Sequence, residues 1–384
     1  MSGLTPRERV RMAIEHKEPD RVPIDFASFR YLLSASGPYG YTALKDYLGL
    51  EGGPEPFVMM GIVMNPDPRI QDRLGNDFRT VVMGTPPPEV LGPGHLRVFP
   101  FGYFYKSVGP YWYPDFTLSP LKDAQTVQDI ENYEFWPDAT DPAYVAGARE
   151  RAKDFHDNTD YAVWAETGMG DAFFHTYHFL RSFEQCFIDM KRKPDLYHAL
   201  MTKIVDSLLA VTGKFFAEVG PYIDVAGVNG DDLGWQYGPY FSNATYREFI
   251  KPYMVKYLKG IRALTDAKFF YHCDGSIFPL IEEFIDMGYD IISPITRNAK
   301  DMEPDKLKKR YGQHITFHSG VDVQSVMDRG SIDDVKRHVA DTIRTMAPGG
   351  GYIFAIEDIK PETPPAHIVA AFDTAMEVGR YPIR

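Results

Sequence analysis

An imidazole and a carboxylate, spaced two residues apart, close an apolar run in the segment YHCDG at 271–275. Residues i and i+2 of a strand point to the same side, so a strand that ends at His272 projects His272 and Asp274 together and turns Cys273 away. An imidazole beside a carboxylate can hold a divalent metal or transfer protons. The spacing therefore predicts a chemical site at the end of this strand.

The composition limits the classes of protein to which the chain can belong. The 384 residues are 44% hydrophobic and 24% charged, enough for a large core, and the formal net charge is −12. Because Lys and Arg are dispersed, a nucleic-acid backbone would be repelled over most of the surface. The charged start, MSGLTPRERV, and the lack of any run of about 18 apolar residues predict a cytoplasmic protein without a membrane span. With Cys186 and Cys273 as the only cysteines, a bound metal must rely on nitrogen and oxygen ligands.

The first 141 residues are predicted to form an elaborated N-terminal section. A helix begins after Thr5, which is followed by Pro6 in the first turn and by Glu8 three positions after the cap. Beyond this helix the chain is rich in Gly, Pro and aromatic residues, which predicts short strands and loops. Nine aromatic residues between 99 and 116 favour a hairpin with a small core of its own over a lid that covers a substrate. The aromatic residues assigned to a substrate pocket are Tyr103, Tyr105 and Trp112.

Residues 142–384 alternate regularly between strand-like and helix-like stretches. The predicted strands are 161–165, 223–228, 268–271, 290–293, 314–318 and 351–356. The predicted helices are 171–191, 194–219, 243–264, 276–287, 331–346 and 365–379. Such alternation is typical of a parallel α/β sheet, and the number of units favours one closed (β/α)8 TIM barrel, 1–384, over an open sheet. No G-x-G-x-x-G turn follows a strand, so a dinucleotide fold is not expected.

The predicted strands end in polar residues, and the catalytic residues of such barrels lie at the carboxyl ends of the strands. These strand-end residues are Glu166, Asn229, Asp231, Asp232, His272, Asp274, Ser293, His318, Ser319, Glu357 and Asp358. Each one alone is equally well explained as a helix cap or a structural side chain. Because all of these ends would meet at one mouth, we predict an active site there.

Four segments of the C-terminal half form a recognisable pattern: NGDDLGWQYGPYFSNATYREFIKPY (229–253), HCDGSIFPLIEEFIDMGYDIISPI (272–295), FHSGVDVQ (317–324) and APGGGYIFAIEDIKPETPPAHI (347–368). They resemble the uroporphyrinogen decarboxylase superfamily. The opening EHKEPDRVPIDF at 15–26 also fits, so the resemblance spans nearly the whole chain. It implies a (β/α)8 barrel, in agreement with the strand count. The superfamily contains porphyrinogen decarboxylases and cobalamin-dependent methyltransferases, which move a methyl group to or from a corrinoid protein.

A missing cationic cluster disfavours the decarboxylase branch. Those enzymes carry an N-terminal R-Q-A-G-R signature whose arginines hold the carboxylates of the tetrapyrrole. The corresponding segment here, FASFRYLLSASG at 26–37, offers only Arg30. In a chain with a net charge of −12, a substrate with many carboxylates would be poorly compensated.

The resemblance also implies a metal site. The thiol methyltransferases of the superfamily bind zinc through a His-x-Cys pair and a later Cys, and those positions correspond to His272, Asp274 and Glu357. Carboxylates replace both cysteines, which leaves three protein ligands and an open position for Zn²⁺ or another divalent metal. An oxygen-rich set is better suited to polarising an oxygen than to activating a thiol.

We therefore interpret the chain as a corrinoid-dependent methyltransferase of the O-demethylase type, acting on a methoxylated compound such as an aryl methyl ether. It carries no corrinoid-binding signature of the Asp-x-His-x-x-Gly type, so the cobalamin is expected on a partner corrinoid protein. Asp231, Asp232 or His318 would orient the substrate or pass a proton to the departing oxygen. Glu166 and Asn229, with the aromatic residues of 99–116, would line the pocket.

Two alternatives remain open. In the first, no metal binds and His272 with Asp274 forms an acid-base pair that decarboxylates a small or aromatic acid, because the carboxylate makes the histidine hold its proton more tightly. In the second, the barrel is a non-catalytic binding module, which explains less well why so many titratable groups share one mouth. The sequence also leaves assembly into a homodimer open.

Overall fold

A computed structural model describes residues 3–26, 28, 40–59, 62–109, 111–168 and 173–383, without the side chains of Phe57, Met59 and Asn229. Arg30, the cation of the N-terminal segment, lies outside the described residues. Within these ranges no helix is both long and apolar enough to cross a membrane.

Helices and strands alternate along most of the described chain. The α-helices are α1 (Pro6–Ile14), α2 (Tyr41–Tyr47), α3 (Pro68–Arg73), α4 (Val127–Glu131), α5 (Ala148–Asn158), α6 (Phe173–Arg181), α7 (Phe183–Arg192), α8 (Pro194–Val219), α9 (Asn243–Phe249), α10 (Lys251–Arg262), α11 (Ile281–Met287), α12 (Pro304–Tyr311), α13 (Ile332–Met346) and α14 (Pro365–Val378). The strands are β1 (Phe57–Met59), β2 (Ile62–Asn65), β3 (Phe78–Val82), β4 (Glu89–Gly92), β5 (His95–Val98), β6 (Tyr103–Val108), β7 (Tyr111–Pro114), β8 (Ala162–Glu166), β9 (Val225–Gly230), β10 (Gly234–Trp235), β11 (Gly238–Pro239), β12 (Lys268–His272), β13 (Ile291–Ser293), β14 (Thr316–His318) and β15 (Tyr352–Ile353).

Eight parallel segments close a barrel. Seven strands form one sheet in the order β15-β14-β13-β12-β9-β8-β3. The segment around Ile24 fills the gap between the two edge strands. On one side, Asp25 N donates to Phe354 O at 2.8 Å and Phe354 N donates to Pro23 O at 2.9 Å. On the other side, Asp77 N donates to Ile24 O at 2.9 Å. The predicted TIM barrel is thereby confirmed.

The six predicted strands are all present, with shifted ends. Two barrel segments, 22–26 and β3, come from the section that the sequence assigns to the N-terminal elaboration. The alternation pattern does not reveal them because an antiparallel sheet and long loops, rather than one helix, separate β3 from β8. The predicted helix at 171–191 is two helices that meet at Ser182, whose φ of 78° is left-handed. Helix α12 is not predicted from the sequence. Few of its residues are buried and the others are charged, so the segment shows little apolar periodicity.

The N-terminal helix fastens the closing segment to the barrel. Helix α1 begins as predicted, since Thr5 Oγ1 accepts from Glu8 N at 3.2 Å and the Glu8 carboxylate accepts from Thr5 N at 2.8 Å. Arg9 in this helix and Arg21 after it both pair with Asp77, at 2.7 and 2.8 Å. Asp77 is fully buried just before β3, so both arginines hold β3 in place.

The aromatic segment at 99–116 belongs to a four-stranded antiparallel sheet in the order β4-β5-β6-β7. Tyr103 and Tyr105 are buried there and contact the ring of Phe179 in α6, with centroids 5.1 and 6.2 Å apart. The Tyr111 hydroxyl donates to Glu362 at 2.6 Å and ties the sheet to the loop after β15. The predicted hairpin is present as β6 and β7 of this sheet, but its buried tyrosines pack on α6 within the main core and not in a separate core.

Candidate functional site

A cleft of about 450 Å³ opens where the parallel strands of the barrel end. The carboxylates at its wall are Asp232, Asp274, Asp322, Glu357 and Asp358. The basic side chains at its wall are His175, His272, Arg297 and Lys360. Its apolar lining is aliphatic, and no aromatic side chain of the described residues contributes to it. The cleft is therefore acidic and lacks the aromatic wall that the sequence suggested.

His272 occupies the centre of this wall. It is the last residue of β12, and the strand register places it opposite Gly230 of β9 and Ser293 of β13. Gly230 permits the close approach of the two strands, because a Cβ at that position would lie 2.7 Å from His272 Cβ. The His272 side chain keeps only 11% of its exposure, so most of the imidazole is withdrawn from water.

Two aspartates face the Nε2 edge of His272. Asp232 Oδ1 lies 3.6 Å and Asp274 Oδ2 lies 3.5 Å from Nε2. Asp274 N donates to Asp232 Oδ1 at 2.9 Å, and Thr296 Oγ1 donates to Asp274 Oδ1 at 3.2 Å. One ligand atom from each of Asp232, His272 and Asp274 lies within 4.8 Å of the others. This spacing fits three ligands of one metal ion.

Glu357 faces the opposite, Nδ1 edge of the ring. Glu357 Oε1 lies 3.6 Å from His272 Nδ1 and accepts a short hydrogen bond from Ser293 Oγ. Because a serine hydroxyl carries one proton, Ser293 then accepts from His318 Nδ1, at 2.8 Å. His318 Nε2 in turn contacts Asp25 Oδ2 at 2.9 Å. A buried chain of polar contacts thus runs from the barrel-closing segment to His272.

The carboxylates change the protonation of His272. Burial by itself lowers the pKa of His272, but hydrogen bonding and charge from Asp274 and Glu357 outweigh it and raise that pKa well above its usual value. For Asp274, loss of water raises the pKa, but the hydrogen bond and charge of His272 outweigh this and lower it. Without a metal, the carboxylates thus favour the imidazolium form of His272. A divalent cation at the Nε2 edge would take the place of that proton.

Asp231, which the sequence groups with the catalytic residues, serves the fold. It is fully buried and accepts backbone N–H groups of Phe173, Phe174 and His175 at 2.8 to 3.1 Å. Burial raises the pKa of Asp231 to about 6, against the opposing effects of the His175 ring and these N–H donors. Both of its carboxylate oxygens accept hydrogen bonds from the start of α6, so its placement does not support contact with a substrate.

His175 is a site residue that the sequence analysis does not single out. Its Nε2 lies 3.5 Å from Asp232 Oδ2, its Nδ1 lies 3.5 Å from Asp231 Oδ1, and its ring stacks on Phe179. It lines the cleft from the first turn of α6. The signal available in the sequence is a histidine at the start of the helix that follows a barrel strand.

The other predicted site residues separate into two groups. Ser319 and Asp358 lie at the cleft wall together with the residues described above. Glu166 and His318 are buried inside the barrel, where Trp164 Nε1 donates to Glu166 at 3.3 Å, and neither lines the cleft. Tyr103, Tyr105 and Trp112 lie in the antiparallel sheet, away from the cleft lining. The side chain of Asn229 lies outside the described part of the chain.

The donors at the cleft fit a hard divalent cation. One imidazole and two carboxylates at 3.5 and 3.6 Å match the ligand types of catalytic zinc, and the cleft leaves a further position open. The three residues implied by the resemblance are not gathered at one edge, because Asp274 faces Nε2 and Glu357 faces Nδ1.

Comparisons with known proteins agree with this architecture. The sequence profile of the family described as uroporphyrinogen decarboxylase (URO-D) matches residues 122–378. A methyltransferase from Methanosarcina mazei superposes with a TM-score of 0.61 at 15% identity, over 97% of this chain and 99% of that chain. Xylanase 10B from Thermotoga maritima gives a TM-score of 0.37 at 12% identity, over 61% of this chain and 80% of that chain, which is too low to support an argument. A search of curated proteins found no match. The Methanosarcina likeness shows a shared fold over the full length.

Proposed function

The chain belongs to the uroporphyrinogen decarboxylase family, and we propose that within this family it is a methyltransferase that moves a methyl group from a methoxylated compound to cobalamin on a partner corrinoid protein. The observation that carries the proposal is His272, with Asp232 and Asp274 at its Nε2 edge, in the wall of an acidic cleft. The Methanosarcina mazei protein of the same fold is a methyltransferase by its description, which supports the reaction class.

The charge of the cleft supports a neutral substrate. Among the described lining residues, five carboxylates stand against Arg297, Lys360 and His272, and Lys360 already pairs with Asp358 at 3.5 Å. Carboxylates remain in excess both with a proton on His272 and with a divalent cation in its place. A polycarboxylate tetrapyrrole would enter against this charge, and so would a small organic acid. An uncharged methyl ether meets no such repulsion. The balance of charge therefore favours ether cleavage over decarboxylation.

The residues of the cleft have distinct roles in the proposed reaction. Asp232, His272 and Asp274 hold a divalent cation, which when bound polarises the ether oxygen and stabilises the negative charge that this oxygen gains as the methyl group leaves. Thr296 fixes Asp274, and His175, 3.5 Å from Asp232, is placed to pass a proton to the departing oxygen. The open mouth leaves the methyl group accessible to a cobalamin that arrives on another protein.

An aryl methyl ether is the substrate class that the chemistry favours most. The departing phenolate is the conjugate base of a phenol with a pKa of about 10, similar to that of Tyr, so it leaves far more readily than an alkoxide. The aliphatic wall of Pro294, Ile295 and Val321 offers apolar contact to the ring. The ring contact is thus assigned to these residues and not to the antiparallel sheet.

One observation favours a second candidate, a metal-independent decarboxylase. Asp274 and Glu357 raise the pKa of His272 well above its usual value, and an imidazolium is a suitable proton donor to a carbanion. In that reaction the C–CO₂ bond breaks and His272 delivers the proton that replaces CO₂. The acidic wall opposes entry of the acid, which places this candidate second.

The test is methyl transfer from 4-methoxyphenol to free cob(I)alamin, followed through the visible spectrum of the cobalamin. We expect zinc-loaded wild type to be active and His272→Ala to be inactive. His314→Ala removes an exposed histidine before β14 and serves as the matched control, which should stay active. Wild type that transfers no methyl group from aryl or alkyl methyl ethers, but releases CO₂ from 4-methoxybenzoate, would replace the proposal with the second candidate.

A further inference from the structure

The two nitrogens of His272 face different carboxylates, and this decides which residues can share one cation. The Nδ1 and Nε2 lone pairs of an imidazole diverge in the ring plane, so an ion bound to one nitrogen lies away from groups at the other. Asp232 and Asp274 are at Nε2, whereas Glu357 is 3.6 Å from Nδ1. In this arrangement an ion on Nε2 lies beside Asp232 and Asp274, whereas Glu357 Oε1 faces the other nitrogen.

The distances at the Nε2 edge match a tetrahedral metal site. Two donors that are each about 2.1 Å from a tetrahedral zinc ion lie roughly 3.4 Å apart. The observed separations from His272 Nε2 are 3.6 Å to Asp232 and 3.5 Å to Asp274. Both carboxylates are also oriented in advance, by the N–H of Asp274 and the hydroxyl of Thr296. Little rearrangement is needed to admit the ion.

The oxygen of Glu357 that faces His272 is held in place by a buried hydrogen bond. Glu357 Oε1 accepts from Ser293 Oγ, which is itself fixed by His318. Glu357 and Ser293 are both buried. A carboxylate that accepts the second N–H of a ligating histidine fixes its tautomer and ring orientation. These contacts give Glu357 the position of such an acceptor.

We propose that Asp232, His272 and Asp274 ligate the cation through the Nε2 edge, and that Glu357 is a positioning residue that accepts the Nδ1 proton of His272. The assignment rests on the metal requirement of the proposed function. Two carboxylates would neutralise a divalent ion, and all three ligand residues line the cleft, so a bound ion would be open to a substrate. The buried contacts from Asp25 to Glu357 then set the orientation of His272.

The test measures zinc content, zinc affinity by calorimetry, and the visible spectrum of the cobalt(II)-loaded protein. We expect Asp232→Asn to lose stoichiometric zinc and to change the cobalt spectrum. We expect Glu357→Gln to keep stoichiometric zinc and the wild-type cobalt spectrum, with an affinity about 10–100-fold lower. Asp322→Asn is the matched control, because Asp322 lies in the same wall but accepts from Asn298 and Ser325. It should bind zinc as wild type does.

The opposite pattern would overturn the assignment: Glu357→Gln loses zinc and changes the cobalt spectrum, while Asp232→Asn retains both. Wild type that takes up neither zinc nor cobalt would overturn it as well. Thermal unfolding of each variant shows whether it folds. If Asp232→Asn does not fold, Asp232→Ala is measured in its place. Methyl transfer is assayed separately. Methyl transfer together with zinc binding through Glu357 would support the proposed function and overturn the ligand assignment. Zinc binding through Asp232 without methyl transfer would support the ligand assignment and overturn the proposed function.

Discussion

Acidification is expected to destabilise the protein through His338, a histidine of α13 that must stay neutral. His338 Nε2 accepts two hydrogen bonds, from Asp322 N at 3.0 Å and from Arg297 at 2.8 Å. Burial, and then the charge of Arg297, lower the pKa of His338 from 6.5 to about 4, although Asp322 and Asp341 act in the opposite direction. A proton on Nε2 would prevent it from accepting either hydrogen bond. Arg297 and Asp322 belong to the loops that line the cleft, so these loops would lose the contact.

The sign and size of the effect follow from the two pKa values. The unfolded chain binds this proton below about pH 6.5 and the folded protein only below about pH 4, so the stability from neutral His338 is complete above 6.5 and is lost as the pH falls towards 4. A pKa lowered this far corresponds to about 3 kcal/mol at most. Because the side chain is only partly buried, we expect about 2 kcal/mol.

The assay is urea unfolding of wild type and His338→Gln between pH 7.5 and 4.5. Glutamine keeps a neutral acceptor that does not titrate, so the free energy of unfolding of wild type should fall by about 2 kcal/mol relative to the variant over this range. His314→Gln controls for the loss of an exposed histidine. A wild-type-minus-variant difference that is independent of pH, or that grows in favour of wild type on acidification, would refute the reasoning.

Two further substitutions test the fold around the site. Arg181→Met leaves the fully buried Asp189 without its cation, whose Nε is 2.6 Å away, and should cost about 3–5 kcal/mol in urea unfolding. Pairing it with Asp189→Leu should restore only part of this, because Arg181 also donates to Leu121 O and Ala124 O. A single-variant loss below about 1 kcal/mol would contradict the argument. Gly230→Ala places a Cβ 2.7 Å from His272 Cβ and should lower zinc affinity by about 10–100-fold without removing a ligand. Gly213→Ala, whose Cβ would meet its nearest atom at 3.9 Å, is the control. Unchanged zinc affinity in Gly230→Ala would show that the strand approach does not position the ligand.

The barrel and the place of its active end could be predicted because they depend on local patterns. Buried parallel strands appear in a sequence as short apolar runs, and the helices between them show apolar residues every three to four positions. Six strands could therefore be assigned from 142 onwards. The spacing of two residues predicted His272 and Asp274 on one side, and their side chains do lie 3.5 Å apart, although Asp274 lies two residues past the end of β12. Segments 22–26 and β3 could not be found this way, because their partners are distant in sequence.

The sequence by itself determined the fold class, the mouth of the barrel and the identity of His272 as its central group, because residue type and period are local properties. Only the tertiary structure decided which carboxylate meets which edge of that imidazole. The register of β9 against β12 brings Asp232 to Nε2, while β15 delivers Glu357 to Nδ1 through Ser293. The start of α6 adds His175 through the buried Asp231. These relations join residues far apart in the chain, and they are fixed by strand register and close packing, which no spacing along the sequence encodes.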